Sequence, residues 1–331
     1  MQDKQQLKEN VAKGIFWSAM ASTLWAFSGI LMQMVAKNGA IPVDWFISAR
    51  TTVAGILLLV IGAFHVKKDV FKVFKDKKSI TLLLIYSLFG LAVNMSTFYM
   101  AIQTGNAPTA TLLQYLAPIF IVLYKFLFQG HRPLKSDVLV FFIALVGIVL
   151  AVTKGDLGEL SIPVVSIFWG LCSAVSAAIY YSVPQPLSKE NSPFVVLGWG
   201  TLIASIPFNI FYIAVHHAPF FLSAPKQVTA SPLVLVGLGG VILVGTIGAF
   251  SSMIYSLKFA SSEVLSIVDA VEPAMTFILS LICTFIPIAL IQSLGVPFNL
   301  VEFIGAALVI YSIYLLQRIH KNHVDDLPPM E

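Results

Sequence analysis

The chain has 331 residues, of which 58% are hydrophobic and 11% are charged, and its net charge at pH 7 is +4. A soluble globular protein carries about 25% charged and about 45–50% apolar residues. The composition therefore excludes a soluble globular protein, a disordered chain and a disulfide scaffold, and it indicates an integral membrane protein.

Hydropathy divides the chain into ten apolar segments. A bilayer core about 30 Å thick requires about 20 apolar residues in each helix that crosses it. Short segments of alternating hydrophobicity, which are typical of membrane β-barrels, are absent. The sequence therefore predicts an all-α integral membrane protein with ten transmembrane helices. The predicted spans are residues 14–36, 45–66, 80–102, 109–128, 138–153, 162–184, 194–215, 233–257, 262–286 and 300–317.

The basic residues predict the orientation of these spans. With a cytoplasmic N-terminus, sixteen of the twenty Lys and Arg residues fall on the cytoplasmic side, and only Lys37, Lys154 and Lys226 fall outside. Arg50 lies within a span. Because cytoplasmic loops carry an excess of Lys and Arg, we expect a multi-pass cell (plasma) membrane protein with both termini in the cytoplasm. No soluble face collects these charges, so nucleic acid is excluded as a partner.

Two sequence landmarks recur at a nearly constant offset. The Ile-Phe-Trp sequence at 15–17 returns at 167–169, which is 152 residues later, and the run over 107–118 returns over 262–273, which is 155 residues later. Each half holds five spans, an odd number, so the second half enters the membrane from the opposite side. The chain is therefore predicted to contain two inverted five-helix repeats, 14–153 and 162–317, with cytoplasmic tails 1–13 and 318–331. Inverted repeats are common in secondary transporters.

These features resemble the EamA-type branch of the drug/metabolite transporter (DMT) superfamily over residues 14–317. The resemblance is carried by the 5+5 layout, the Ile-Phe-Trp starts of helices one and six, Arg50 in helix two, and the runs that end at Pro118 and at Glu272-Pro273. The family commonly has Gly-Glu after helices four and nine, whereas this chain has Gly130-His131 and an apolar stretch over 285–298. The resemblance implies a transporter, often an exporter, of amino acids or other small metabolites. The departures leave the substrate unassigned.

Three charged residues lie well inside predicted spans, namely Arg50, Asp269 and Glu272. A charge in the bilayer core costs a few kcal/mol, so its default interpretation is functional. Asp269 and Glu272 are spaced i, i+3 and share a helix face. One hypothesis is that they form a proton or cation site, because two close carboxylates raise one pKa. The alternative is structural: Glu272 pairs with Arg50 or binds backbone groups freed by Pro273.

Polar and aromatic side chains near these charges extend the candidate site. Gln114 is the repeat counterpart of Asp269, and substrate sites gather where inverted repeats meet. Pro118 and Pro273 are predicted to kink helices four and nine and to free backbone carbonyls. For each neutral polar residue, contact between helices is as good an interpretation as substrate binding. The further candidates are Tyr115, Asn94, Tyr99 and Gln103, and the aromatic residues Trp25, Tyr180 and Tyr181, with Trp17 and Trp169 more typical of interfacial anchors.

The leading functional interpretation is a secondary active transporter, in its favoured form an exporter, of a small metabolite such as an amino acid. It works by alternating access, with proton coupling as one hypothesis. The rivals are a polytopic membrane enzyme and a channel-like or accessory membrane protein. No nucleophile–base pair near the interface and no phosphate-binding loop is visible in the sequence. We expect no cofactor and no metal, since Cys172 and Cys283 are isolated within spans. The expected partners are the substrate, protons and lipid. The sequence leaves open whether the chain forms a homodimer.

Overall fold

The computed structural model describes most of the chain. The described residues are 2–39, 41–129, 135–156, 162–256, 258–259, 268, 271–286, 292, 294–295 and 297–325. Within these ranges every regular element is helical and no strand occurs. The fold class is therefore all-α, as the sequence predicts.

Ten long helical elements, labelled α1 to α10 in chain order, make up the described structure. Shorter helices over Lys67–Phe74, Gln185–Glu190 and Lys226–Ala230 connect some of them. The bounds are α1 Gln2–Gly39, α2 Val43–Val66, α3 Lys77–Ile85 with Tyr86–Ala92 and Val93–Thr104, α4 Ala107–Gln114 with Ala117–Gln129, α5 Lys135–Thr153, α6 Val164–Ser182, α7 Pro193–His216, α8 Pro232–Gly240 with Val241–Ala249 and Phe250–Ser256, α9 Val271–Phe285 and α10 Leu300–Asp325.

Seven of the described helices are long and apolar enough to cross a bilayer. They lie in α1, α2, α3, α4, α6, α7 and α8. Shorter apolar helices in α5, α9 and α10 cover Leu139–Thr153, Val271–Phe285 and Leu300–Ser312. The protein is therefore a multi-pass membrane protein. The predicted ninth span, 262–286, falls partly outside the described residues, which resume as a continuous helix at Val271.

Helices α3 and α8 each contain a π-helical segment in the middle. These segments are Tyr86–Ala92 and Val241–Ala249, and they begin 155 residues apart. A glycine in each segment allows close approach of another helix: a Cβ on Gly90 would lie 3.2 Å from the Cα of Tyr180, and one on Gly245 would lie 2.6 Å from the Cβ of Ser28. A π-turn widens a helix locally and is frequent at functional sites.

Helices α2 and α7 pack against each other through a reciprocal glycine contact. A Cβ on Gly55 would lie 2.8 Å from the backbone nitrogen of Leu202. A Cβ on Gly198 would lie 3.1 Å from the backbone nitrogen of Leu59. The spacing is the same in both directions, since each leucine lies four residues after the glycine of its own helix. The two helices therefore meet with similar surfaces, with small residues at the closest point, as is common in membranes.

Helices α5 and α10 form a second reciprocal pair. A Cβ on Gly147 would lie 2.7 Å from the carbonyl oxygen of Gly305, and a Cβ on Gly305 would lie 2.5 Å from the carbonyl oxygen of Gly147. Neither position has room for a side chain. The backbones of α5 and α10 are thus in direct contact, although α5 belongs to the first half of the chain and α10 to the second.

Candidate functional site

One cavity lies among helices from both halves of the chain. It is partly open to its surroundings. Seven helices contribute to its wall, namely α1, α2, α3, α4, α6, α8 and α9. The lining residues are Trp25, Ser28, Gly29, Met32, Arg50, Asn94, Met95, Phe98, Gln114, Tyr180, Tyr181, Phe250 and Glu272.

Arg50 supplies a buried positive charge to this cavity. It lies on α2, about 10 Å from the start of the helix at 1.5 Å per residue, and only 4% of it is exposed. Its Nε donates a hydrogen bond to Thr246 Oγ1 at 2.8 Å, and Thr246 Oγ1 donates to the carbonyl oxygen of Val241 at 3.1 Å. The bond to Thr246 is the one hydrogen bond that the guanidinium makes within the described residues. The π-helical segment of α8 therefore holds Arg50 by one nitrogen.

Two neutral amides join three helices at the wall of the cavity. Gln114 Nε2 on α4 donates to Asn94 Oδ1 on α3 at 3.3 Å. Asn94 Nδ2 donates to the carbonyl oxygen of Ser173 on α6 at 3.0 Å, with the hydroxyls of Ser173 and Ser176 at 3.3 Å. Asn94 is therefore anchored through both the oxygen and the nitrogen of its amide.

Glu272 brings a carboxylate to the same cavity. It is half-buried in the first turn of α9, and its carbonyl oxygen accepts a hydrogen bond from Thr276 Oγ1 at 2.9 Å. Pro273 follows it and is buried. The other predicted carboxylate, Asp269, lies outside the described residues. The structure thus brings Arg50 and Glu272, from opposite halves of the chain, to one cavity.

Aromatic rings form another part of the cavity wall. The ring centroids of Trp25 and Phe250 are 5.0 Å apart with planes at 81°, and those of Trp25 and Tyr180 are 6.5 Å apart with planes at 83°. Tyr180 lies 5.7 Å from Phe250 and 4.1 Å from Tyr181. Three helices therefore build one aromatic corner, which we define as Trp25, Tyr180 and Phe250. Trp25 and Tyr180 follow from sequence reasoning, whereas Phe250 does not.

Two predicted site residues lie away from the cavity wall. Tyr99 is fully buried, donates its hydroxyl to the carbonyl oxygen of Ile41 at 3.0 Å, and stacks on Phe46 with centroids 4.0 Å apart. Tyr115 packs against a separate hydrophobic cluster that includes Leu113. Tyr99 therefore joins α3 to the loop before α2, which is a structural role.

Helix α4 is interrupted beside the cavity. Its first part ends at Gln114, a turn covers Tyr115 and Leu116, and the second part begins at Ala117. Pro118 has no N–H, so it cannot bond the carbonyl oxygen of Gln114 four residues earlier. The N–H groups of Leu116 and Ile119 bond i−3 carbonyls instead, at 3.1 and 2.9 Å. The interruption places Gln114 at the end of a helical segment facing the cavity.

A buried amide that sequence reasoning missed ties three segments together at one end of the bundle. The side-chain oxygen of Gln33 on α1 accepts the N–H of Ala107 at 2.6 Å. Its Nε2 donates to the carbonyl oxygen of Leu294 at 2.8 Å, and Ser280 Oγ donates to the same oxygen at 3.3 Å. Gln33 is 0% exposed. An isolated amide in an apolar span was the available signal.

Comparison with known proteins identifies the family. The model of the EamA-like transporter family matches residues 12–153 and again 164–318. The chain belongs to this family. The two matches together span nearly the whole chain, so the family covers both halves of the bundle. The protein is accordingly a membrane transporter, and its family consists of transporters and not of enzymes.

Relatives agree with this placement. The chain is 28% identical over 304 residues to the "Uncharacterized inner membrane transporter YicL" of Salmonella typhimurium, covering 92% of this chain and 95% of that protein. It is 25% identical over 236 residues to an "Uncharacterized transporter" of Archaeoglobus fulgidus, covering 70% and 76%. A solved structure described only as "Crystal structure of protein" has a TM-score of 0.62 and 15% identity, and covers 94% of this chain and 98% of that chain. This last likeness concerns the fold alone.

Proposed function

We propose that this EamA-like transporter is a secondary active exporter of a small metabolite, and that it binds its substrate in the cavity between its two halves. The observation that carries the proposal is the placement of two opposite charges, Arg50 and Glu272, on the wall of one intramembrane cavity. Charges inside a membrane protein mark substrate and ion pathways. An apolar packing interface would need neither.

We further propose that α1–α5 and α6–α10 cross the membrane as two inverted repeats, 14–153 and 162–317, with both termini in the cytoplasm. The reciprocal contacts support this arrangement, since Gly55 and Gly198 are equivalent at the α2–α7 contact and Gly147 and Gly305 at the α5–α10 contact. The π-helical segments at equivalent places in α3 and α8 support it as well. Two similar halves of opposite orientation can rock around a central site and give alternating access.

Proton coupling is assigned in this proposal to Glu272 and Asp269. Glu272 lines the cavity, and Asp269 is three residues earlier in the sequence. A carboxylate that is neutralised by a proton on one side of the membrane and by substrate on the other couples their movements. The structural alternative assigns Glu272 to the support of α9 near Pro273.

A flux assay tests the proposal. The purified chain is reconstituted into proteoliposomes, a mixture of small metabolites is supplied, and accumulation is measured with and without a pH gradient. We expect saturable, gradient-dependent accumulation that Glu272→Gln and Asp269→Asn abolish. Glu190→Gln is the matched control, because Glu190 is an exposed carboxylate in the short helix after α6.

The outcomes separate the functional classes. Accumulation that does not saturate indicates a channel, and chemical conversion of a supplied metabolite indicates an enzyme. Equal gradient dependence in Glu272→Gln, Asp269→Asn and the wild type overturns the coupling assignment. Accumulation that persists when Arg50→Gln alters the cavity overturns the assignment of the cavity as the substrate site.

A further inference from the structure

We propose that the substrate is a small zwitterion with a carboxylate at one end and a fully methylated ammonium group at the other, which is the chemical class of the betaines. This inference rests on the proposed function, because it assumes that the cavity is the substrate site. It is carried by the meeting of Arg50 and the aromatic corner of Trp25, Tyr180 and Phe250 in one cavity. The two features recognise opposite ends of such a molecule.

The carboxylate end is assigned to Arg50. Its guanidinium carries five N–H donors, and within the described residues only Nε is engaged, by Thr246. The Arg50 residue is only 4% exposed, and it lines the cavity. A buried charge is costly to leave uncompensated, and the planar fork of a guanidinium matches a carboxylate with two parallel hydrogen bonds. The bond from Nε to Thr246 fixes the orientation of the guanidinium and leaves its two terminal nitrogens to bind the carboxylate.

The cationic end is assigned to the aromatic corner. The three ring centroids lie between 5.0 and 6.5 Å from one another. The rings are thus close enough together for one cation to contact more than one of them, since cation–π attraction acts within about 6 Å of a ring centroid. The plane of Trp25 is inclined to both partners, at 81° and 83°, so both pairs are edge-to-face contacts. This packing fixes the three rings relative to one another on the cavity wall.

The absence of N–H groups on the cationic end of the ligand is assigned from the aromatic corner. A primary ammonium brings three donors, each of which costs free energy when it is buried without an acceptor. Met32, Met95 and Phe98 add further apolar surface to the cavity wall, and its oxygen acceptors lie on Ser28, Gln114, Glu272 and the two tyrosines. A primary ammonium must reach these oxygens, whereas a trimethylammonium group that sits on the rings needs no acceptor and is attracted to their faces. The carboxylate of Glu272, on the wall of the same cavity, balances its charge.

Binding of four probes to the purified full chain in detergent, measured by isothermal titration, tests the class. The probes are glycine betaine, its uncharged-headgroup isostere 3,3-dimethylbutanoate, unmethylated glycine, and choline, which lacks the carboxylate. We expect glycine betaine to bind at least about tenfold more tightly than each of the others, since cation–π contacts and one bidentate pair act together. Equal binding of glycine betaine and 3,3-dimethylbutanoate would overturn the cation assignment. Tighter binding of glycine would overturn the methylated class.

Variants of the aromatic corner test its role. We expect Trp25→Leu and Phe250→Leu to weaken glycine betaine binding about 3- to 20-fold, and Trp25→Phe to recover most of the loss at position 25 because it keeps a ring. Phe168→Leu is the control, since Phe168 lies on α6 and is 54% exposed on the outside of the bundle. The thermal unfolding of each variant is measured alongside. A loss in Phe168→Leu as large as in Phe250→Leu would overturn the corner assignment.

The Arg50 assignment is tested by a change in ligand order. We expect Arg50→Gln to lose at least about tenfold in glycine betaine affinity while it retains choline binding, which also reports that the variant is folded. Thr246→Val, which removes the bond to Nε and no charge, should show the same trend more weakly. An equal loss for both ligands in Thr246→Val would overturn the assignment.

Failure of this inference is distinguishable from failure of the proposed function. If the proteoliposomes accumulate unmethylated metabolites in an Arg50-dependent way and the chain does not bind glycine betaine, the cavity is a transport site of another specificity and the present inference is wrong. If the chain binds glycine betaine but proteoliposomes do not exchange labelled for unlabelled glycine betaine, the ligand class stands and the transport proposal is wrong.

Discussion

Gln33 is the residue whose replacement should shift the balance between the two states of the proposed alternating access. Its side chain makes two hydrogen bonds, to Ala107 N at 2.6 Å and to the Leu294 carbonyl oxygen at 2.8 Å, and it is fully buried. It lies near the C-terminal end of α1, on the side that we propose to be external. The two bonds tie α1 to the start of α4 and to the segment before α10. We therefore expect them to hold this end of the bundle together in the state that is closed to the outside.

The magnitude follows from the two bonds. Interhelical hydrogen bonds in membranes contribute about 0.6–1.7 kcal/mol each. Gln33→Met keeps the volume of the side chain and removes both bonds, so it should destabilise the externally closed state by about 1–3 kcal/mol relative to the externally open one. Since 1.4 kcal/mol is a factor of ten, the externally open population should rise about 5- to 150-fold, up to the limit at which it predominates.

Accessibility labelling measures this shift. A reporter cysteine is introduced as Gln114→Cys, at the half-buried cavity position, after Cys172 and Cys283 have been replaced by alanine. A membrane-impermeant thiol reagent is then added to right-side-out and to inverted vesicles. We expect Gln33→Met to accelerate labelling from the external side and to slow it from the cytoplasmic side.

The matched control is Thr23→Val on the same helix. Thr23 is exposed, and its hydroxyl donates only to the carbonyl oxygen of Ala19 in its own helix, at 2.8 Å. Its replacement should leave both labelling rates unchanged. Faster labelling of the Gln33→Met variant from the cytoplasmic side, or unchanged rates from both sides in a variant that unfolds at the wild-type temperature, would refute the role of Gln33 as an external clamp.

Two further predictions concern stability. Gly147→Ala should lower the unfolding temperature in detergent, because its Cβ would lie 2.7 Å from the carbonyl oxygen of Gly305. Gly239→Ala should leave that temperature unchanged, because its Cβ would meet no atom of another helix within 4 Å. Equal effects of the two substitutions would contradict the backbone contact. Asp76 accepts hydrogen bonds from Ser79, which hold the pKa of its carboxyl below the ordinary value. The stability difference between wild type and Asp76→Ala should therefore be full above the ordinary pKa and disappear as the pH falls through the lowered one, as measured by unfolding scans across pH.

The sequence predicts the helices well because lipid imposes a strong local rule. A span must be apolar for about 20 residues, and that requirement is visible within each segment without knowledge of its neighbours. The same rule makes charges conspicuous, so Arg50 and Glu272 could be chosen from an apolar background before their common cavity was known. That both residues line one cavity is not visible in the sequence, because it depends on how α2 and α9 are arranged.

Features that arise from contacts between distant segments could not be predicted in this way. The bond from Arg50 to Thr246 joins residues 196 positions apart, and the bond from Gln33 to Leu294 joins residues 261 positions apart. The π-helical segments depend equally on tertiary packing, since Gly90 and Gly245 only become necessary where another helix presses against them. Phe250 has no local mark that separates it from the chain's other 24 phenylalanines, most of which have no contact with the cavity.

The proposed repeats also explain why the cavity can select one orientation of its ligand. At the helix contacts the halves are equivalent, with glycine facing glycine between α5 and α10, and equivalent contacts allow the halves to move relative to each other in either direction. The residues that the two halves contribute to the cavity are not equivalent. At the spacing of 143 residues that relates Gly55 to Gly198, Arg50 corresponds to Pro193, and at the spacing of 155 residues Asn94 corresponds to Ala249. A symmetric frame thus carries an asymmetric site. An asymmetric zwitterion of the proposed class should fit such a site in one orientation only, so we expect its carboxylate to stay with Arg50 whichever end of the bundle is open.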